Sequence, residues 1–219
     1  IRILSAAIAF VSQVLLARWM GTFEYGIFVY VWTAMVIAGS ISGFGVPSAI
    51  IRFIPEFREK QMMPELRGVL LASRLFVLVA SSIITVVAML TVWLLSSHVE
   101  HYYVVPFILG MLCLPMIALS DLFQGIARAH SWALSALVPV YITRPILILA
   151  LMLAAHLLGY AQTAETAIYC AILATYATTL MQLSTVVVHV DRKLPPGPRS
   201  IDPKGWLLIS LPIFLVEGL

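Results

Sequence analysis

Residues 15–36 read LLARWMGTFEYGIFVYVWTAMV. Apolar sequence runs up to Ala17, breaks at Arg18, Gly21, Glu24, Tyr25 and Gly26, and then resumes. The break stands out because the chain around it is nearly uncharged. Of 219 residues, 62% are hydrophobic and 11% charged, and the mean hydropathy is +1.03. Soluble domains carry about 25% charged residues, and a chain this apolar cannot hide its surface from water or remain disordered. Its solvent is therefore lipid, at least in part, and the break reads as a hairpin between two membrane helices.

Working outward from the hairpin, apolar runs of bilayer length recur. The expected spans are residues 1–17, 26–51, 69–95, 102–124, 134–158 and 166–190, with the start of a seventh at Trp206. A spanning helix needs roughly 20 apolar residues, and none of the runs alternates with the period of two that a barrel strand would show. The expected fold is all-α, a polytopic transmembrane helical bundle. Residues 1–192 form a six-helix unit, 193–205 (KLPPGPRSIDPKG) an extended Pro/Gly-rich linker, and 206–219 the start of the next helix. The chain begins at Ile1 and its last apolar run ends after 14 residues, so the expectation is a fragment of a longer protein.

The connections set an orientation. Those after the second, fourth and sixth spans hold nine Lys and Arg residues, whereas the opposite side holds only Arg18. By the positive-inside rule, loops 52–68, 125–133 and 191–205 are cytoplasmic. RFIPEFREKQMMPELRG, residues 52–68, reads either as a short interfacial helix broken by Pro55 and Pro64 or as a solvated connector.

Signatures of soluble catalysis are absent, and the five histidines and two cysteines show no metal-ligand spacing. No cofactor is expected. Charges inside the spans carry more information, because each is costly in lipid. Ten residues into its span, at 1.5 Å each, Arg144 lies roughly 15 Å deep, with Pro145 bending the helix beside it. It reads as a cation in a hydrated cavity, or as half of a structural pair with a buried carboxylate. Arg74 is shallower and reads as a cavity cation or a snorkelling side chain, and Arg2 is similarly shallow. Glu217 is a candidate counter-ion or proton carrier, and Asp121 lies close to the cytoplasmic end of its span, within reach of an arginine. Gly39, Gly43 and Gly45 make a small face for close helix packing, and Pro47 is expected to kink the second span. Prolines at 106, 115, 139 and 212 interrupt other spans, as in many transporters.

Ala17, Arg18 and Gly21, then Tyr25 and Gly26, then Gly45, Ala49, Arg52 and Phe53 form a pattern. It resembles the polysaccharide transporter family of the multidrug/oligosaccharidyl-lipid/polysaccharide exporter superfamily. GIARAH, residues 125–130, and SLPIF, residues 210–214, resemble that family's turn after the fourth helix and the opening of its seventh. The resemblance implies a fourteen-helix MATE-like fold of two six-helix bundles plus a pair, of which this chain is the N-terminal bundle. It implies a flippase of the bacterial inner membrane that moves undecaprenyl-diphosphate-linked oligosaccharide to the outer leaflet, for surface polysaccharides such as lipopolysaccharide O-antigen or exopolysaccharide. The implied partners are that lipid-linked oligosaccharide, membrane lipid and a polysaccharide polymerase complex, with no nucleic acid. Arg144, Arg74 and Arg2 are the expected cavity cations, since a guanidinium donates two parallel hydrogen bonds to a phosphate.

Three rivals stand beside this reading. A multidrug or cation antiporter of the same superfamily would favour acidic groups, of which Asp121 alone lies in the first six spans. A peptidoglycan-precursor flippase shares the mechanism without the RFIPEF signature. A membrane-embedded polysaccharide polymerase or ligase, the enzyme reading, would place its chemistry on a large external loop, and the external loops here are short.

Overall fold

The computed structural model describes residues 2–95 and 100–217; the side chains of residues 2, 4, 101, 203, 204, 207, 209, 211, 216 and 217 lie outside that description. The elements are α1 (Arg2–Ile41), α2 (Val46–Glu59), α3 (Met63–Leu94), α4 (His101–Met111), α5 (Leu114–Ala129), α6 (Ala133–Val138), a π-helical segment (Pro139–Thr143), α7 (Arg144–Leu157), α8 (Ala164–His189), a 3₁₀ turn (Asp191–Lys193) and α9 (Pro203–Glu217). No strand occurs among the described residues. Four stretches are long and apolar enough to cross a membrane: Ser5–Ile41, Met63–Leu94, Ala133–Leu157 and Ala164–Lys193. Tyr102–Met111 with Leu114–Ala129, bent by 41°, makes a fifth if the pair counts as one.

The opening stretch breaks α1 at Gly21, where φ is 79° and ψ is 167°. Only glycine enters that region readily, since a Cβ would clash with the backbone. In a straight helix, Ala9 and Thr33 would stand about 36 Å apart. Instead they line one cavity, together with Gln13 and Val29. The two arms of α1 therefore face each other about Gly21.

Three other breaks correct the boundaries read from the sequence. The second apolar run does not reach residue 51 as one helix with a kink at Pro47. It stops at residues 42–45, where Phe44 and Gly45 have φ of 47° and 70°, and Pro47 sits in the first turn of α2, where its missing N–H is not needed. RFIPEF is the second half of α2, a continuous helix through Pro55 to Glu59, while Pro64 opens α3 six residues earlier than expected. Residues 102–124 also divide, at Leu112–Cys113, just before Pro115. Carbonyls there take hydroxyl donors from neighbouring helices: the Tyr176 hydroxyl donates to Leu112 O at 3.1 Å and the Thr179 hydroxyl to Met116 O at 3.2 Å. In lipid no water would do this for them.

α5 is the centre of the packing and touches α1, α2, α3, α6 and α8. It buries Leu114, Ile117, Ala118, Leu122, Phe123 and Ile126. A Cβ on Gly39 would strike Ile117, and one on Gly125 would strike Pro47 O, so small residues bring α1 and α2 close to α5. On α3 the outer stripe of Leu75, Val79, Ile83, Val86 and Leu90 is exposed, with the helical spacing of a lipid-facing surface.

The three basic connections meet at one end. Arg58, His130, His189 and Lys193 line one pocket there. At the other end Glu24 accepts the N–H of Ala164 at 2.7 Å, capping α8, and Trp19 stacks on His156. The Pro/Gly-rich segment lacks regular structure only over residues 194–202, since Lys193 ends the 3₁₀ turn and α9 begins at Pro203, three residues before the expected Trp206; it is also docked. Ser200 donates its N–H to Pro64 O at 3.0 Å, and Arg67 donates to Pro198 O at 3.0 Å. Gly68 lets the Ser200 carbonyl lie against α3, where any Cβ would block it.

The break at Gly21 makes a prediction. Gly21→Ala should cost on the order of 1–3 kcal/mol, read as a lower melting temperature of the purified protein in detergent. Gly26→Ala, in a helical position with open space at its Cβ, should be neutral or stabilise by up to about 1 kcal/mol. Equal melting temperatures for the two variants would contradict the strained turn.

Candidate functional site

α7 begins inside the apolar stretch Ala133–Leu157, and its first residue, Arg144, is the twelfth of those 25 residues. The helix is interrupted just before it: Pro139 opens the π-helical segment that ends at Thr143. The disturbance expected at Pro145 thus lies mainly on the N-terminal side of Arg144, and Pro145 sits in the first turn of α7. A π segment widens the helix and redirects the side chains that follow it.

Arg144 is 6% exposed. Its Nη2 donates to the Ser120 hydroxyl at 3.0 Å, and its Nε makes a longer bond of 3.4 Å to the Thr178 hydroxyl. The Ser120 hydroxyl in turn donates to Gln182 Oε1 at 2.7 Å. Both acceptors are neutral. Among the described residues no carboxylate lies within ion-pair distance of the guanidinium. These bonds use two of its five N–H groups.

The guanidinium borders a cavity of about 360 Å³ between the arms of α1, α5 and the π segment. Asp121 lines the same cavity, accepting from the Ser40 hydroxyl at 3.2 Å and from Gln124 Nε2 at 3.0 Å. Arg128 does not touch Asp121; it donates to Gln124 Oε1 at 3.3 Å. Ser40, Asp121, Gln124 and Tyr141 also line a neighbouring cavity of about 210 Å³ that reaches Arg128. A polar path therefore runs from mid-span towards the end that gathers the basic connections.

Of the expected site residues, the structure brings Arg144 and Asp121 together. Arg74 is elsewhere. Its guanidinium grips Asp191 through two bonds, of 2.7 and 2.9 Å, beside the docked Pro/Gly-rich segment. The side chains of Arg2 and Glu217 lie outside the described residues. Sequence reading missed Ser120, Gln124, Thr178 and Gln182. The signal was there: Ser120 and Gln124 on α5, and Thr178 and Gln182 on α8, are polar pairs four residues apart on apolar helices.

Ser120→Ala would remove an acceptor from a buried cation and a donor from Gln182. Thermal unfolding should register a loss of about 1.5–3 kcal/mol. Thr185→Ala, at a more exposed turn of α8 whose hydroxyl bonds only its own helix, should change little.

No curated protein and no solved structure matches the chain. The family model described as polysaccharide biosynthesis protein matches residues 1–202. That span takes in both arms of α1, the Arg144 cavity and the docked segment, and the chain belongs to the polysaccharide biosynthesis protein family.

Proposed function

We propose that this chain is the cavity-bearing N-terminal bundle of a flippase that carries undecaprenyl-diphosphate-linked oligosaccharide across the bacterial inner membrane. The observation that carries the proposal is Arg144: a mid-span cation held only by neutral hydroxyls and bordering a cavity. A cation in lipid whose direct hydrogen-bond partners are all neutral is a lasting cost, only partly offset by the longer-range attraction of Asp121 across the cavity. A diphosphate docking beside it supplies the missing anion and accepts from its planar fork.

Counting the two arms of α1 separately, and α4 with α5 as one, gives six spans before α9. The nine-cation end is then cytoplasmic, and the substrate headgroup enters along the polar path past Arg128, Gln124 and Asp121. A second bundle facing the cavity would enclose the headgroup, leaving the polyprenyl tail in lipid. Rocking of the two bundles moves the opening from one leaflet to the other. The protein acts as a transporter, not an enzyme, and its partners are the lipid-linked sugar, membrane lipid and a polysaccharide polymerase complex.

Asp121 favours a second reading, cation-coupled antiport, because it faces the same cavity and bonds no arginine directly. Within the flippase reading it serves as the coupling group.

In the full-length protein, Arg144→Ala should abolish surface polysaccharide while membrane protein level stays near normal. Arg144→Lys should restore only part of it, since an ammonium lacks the two-pronged donor geometry. Arg144→Met combined with Asp121→Asn should leave thermal stability unchanged or raised, since both buried charges that share the cavity are then removed. Normal export by Arg144→Ala would refute the ligand role. If antiport is the true activity, Asp121→Asn should abolish transport and Arg144→Ala should spare it.

A further inference from the structure

The cavity of about 720 Å³ beside Arg74 is separate from the Arg144 groove. One wall is the first turns of α3; the other is the segment that leaves α8. Arg67 and Arg74, seven residues apart, stand on one face of α3. Arg199 comes from the facing segment. The carboxylate on the lining, Asp191, is already engaged by both terminal nitrogens of Arg74. Three guanidinium groups thus meet one carboxylate, an excess of two positive charges. Donor capacity is also unused: the Nε–H groups of Arg67 and Arg74 are shut from solvent with no acceptor in the structure. Between the two arginines of α3 the wall is apolar, with Leu70 and Leu71, and Leu194 faces them from the other side.

Depth decides what such a site meets. The 32 residues of α3 extend about 48 Å, against a hydrocarbon core of about 30 Å. The surplus puts the first turns of α3 among headgroups. Arg67 stands about 6 Å and Arg74 about 17 Å along the helix from Met63. From Arg67 inward the wall is therefore cationic first, then apolar over the next turn at Leu70 and Leu71, and it closes on the Arg74–Asp191 pair, whose charge is already matched. That is the profile of a phospholipid, phosphate above and acyl chains beneath.

We infer that this cavity binds the phosphate of an anionic membrane phospholipid, held between Arg67 and Arg199, with its acyl chains along Leu70 and Leu71. Arg74, already paired, fixes the wall and adds field. Because Arg67 also holds Pro198, a bound phosphate joins α3 to the docked segment.

The test uses the full-length protein in nanodiscs of phosphatidylcholine, with or without phosphatidylglycerol, read by thermal unfolding. Phosphatidylglycerol should raise the melting temperature of the parent protein. Arg67→Gln with Arg199→Gln should lose most of that shift. Arg199→Gln alone, on an exposed residue whose loss cannot unfold the bundle, should lose about half. Arg58→Gln with Lys60→Gln removes the same charge from the same end outside the cavity and should keep the shift, as should Arg144→Ala. Retention of the shift by the Arg67/Arg199 variant, equal loss in the Arg58/Lys60 variant, or no shift in the parent would overturn the site. Equal protection by millimolar inorganic phosphate in phosphatidylcholine nanodiscs would also overturn it, by showing a free-phosphate site instead.

Discussion

A guanidinium sits near the middle of an apolar helix with only neutral hydroxyls to hold it, and much of the bundle is arranged around that fact. Arg144 cannot be left to lipid. The π segment before it, opened by Pro139, sets where it points. α5 supplies Ser120 and α8 supplies Thr178 and Gln182, so two helices are brought into register by one side chain. α5 accordingly lies at the centre of the packing, with small residues at its crossings and its polar face turned to the cavity. The cation is thereby oriented without being neutralised. A direct ion pair would have consumed the charge; here the guanidinium bonds only hydroxyls and borders the cavity.

Broken helices are the second theme, and they share one solution. Each break exposes backbone groups that lipid cannot satisfy. At the α4–α5 break, the Tyr176 hydroxyl of α8 reaches across to the Leu112 carbonyl, and Thr179 adds a bond to Met116 O in the first turn of α5. At residues 42–45 the missing donor belongs to a proline placed in the first turn of the next helix, where the loss is harmless. At Gly21 the break lies at the hairpin end, where Glu24 serves a second purpose by capping α8.

The class of fold was legible because composition and run length decide it. The hairpin was legible because Arg18, Gly21, Glu24 and Gly26 interrupt an apolar run with residues that have no other reason to cluster. Arg144 was legible for the same reason. Helix boundaries were less so. Pro47, Pro55 and Pro64 look alike in sequence, yet two lie in the first turn of a helix and one inside a helix. The role of Pro47 follows from the left-handed Gly45 just before it, a conformation that no hydropathy pattern marks. Arg74 was ambiguous because its partner, Asp191, lies 117 residues away. The hydroxyl and amide supports of Arg144 carry no charge, so nothing in hydropathy marks them.

The docked segment after α8 has a mechanical meaning. A flexible tether between two moving bodies transmits no force until it is taut. Here the chain from Asp191 to Ser200 is clamped at Arg74, Arg67, Gly68 and Pro64 before α9 begins. The free length left between Ser200 and Pro203 is too short to absorb displacement. α9 is thus hung on α3 by a short pivot, and any displacement of α9 is carried to α3 and, through its contact with Gly45, to the turn after the second arm of α1. The slack that composition suggests for a Pro/Gly-rich connector is removed by a glycine on another helix.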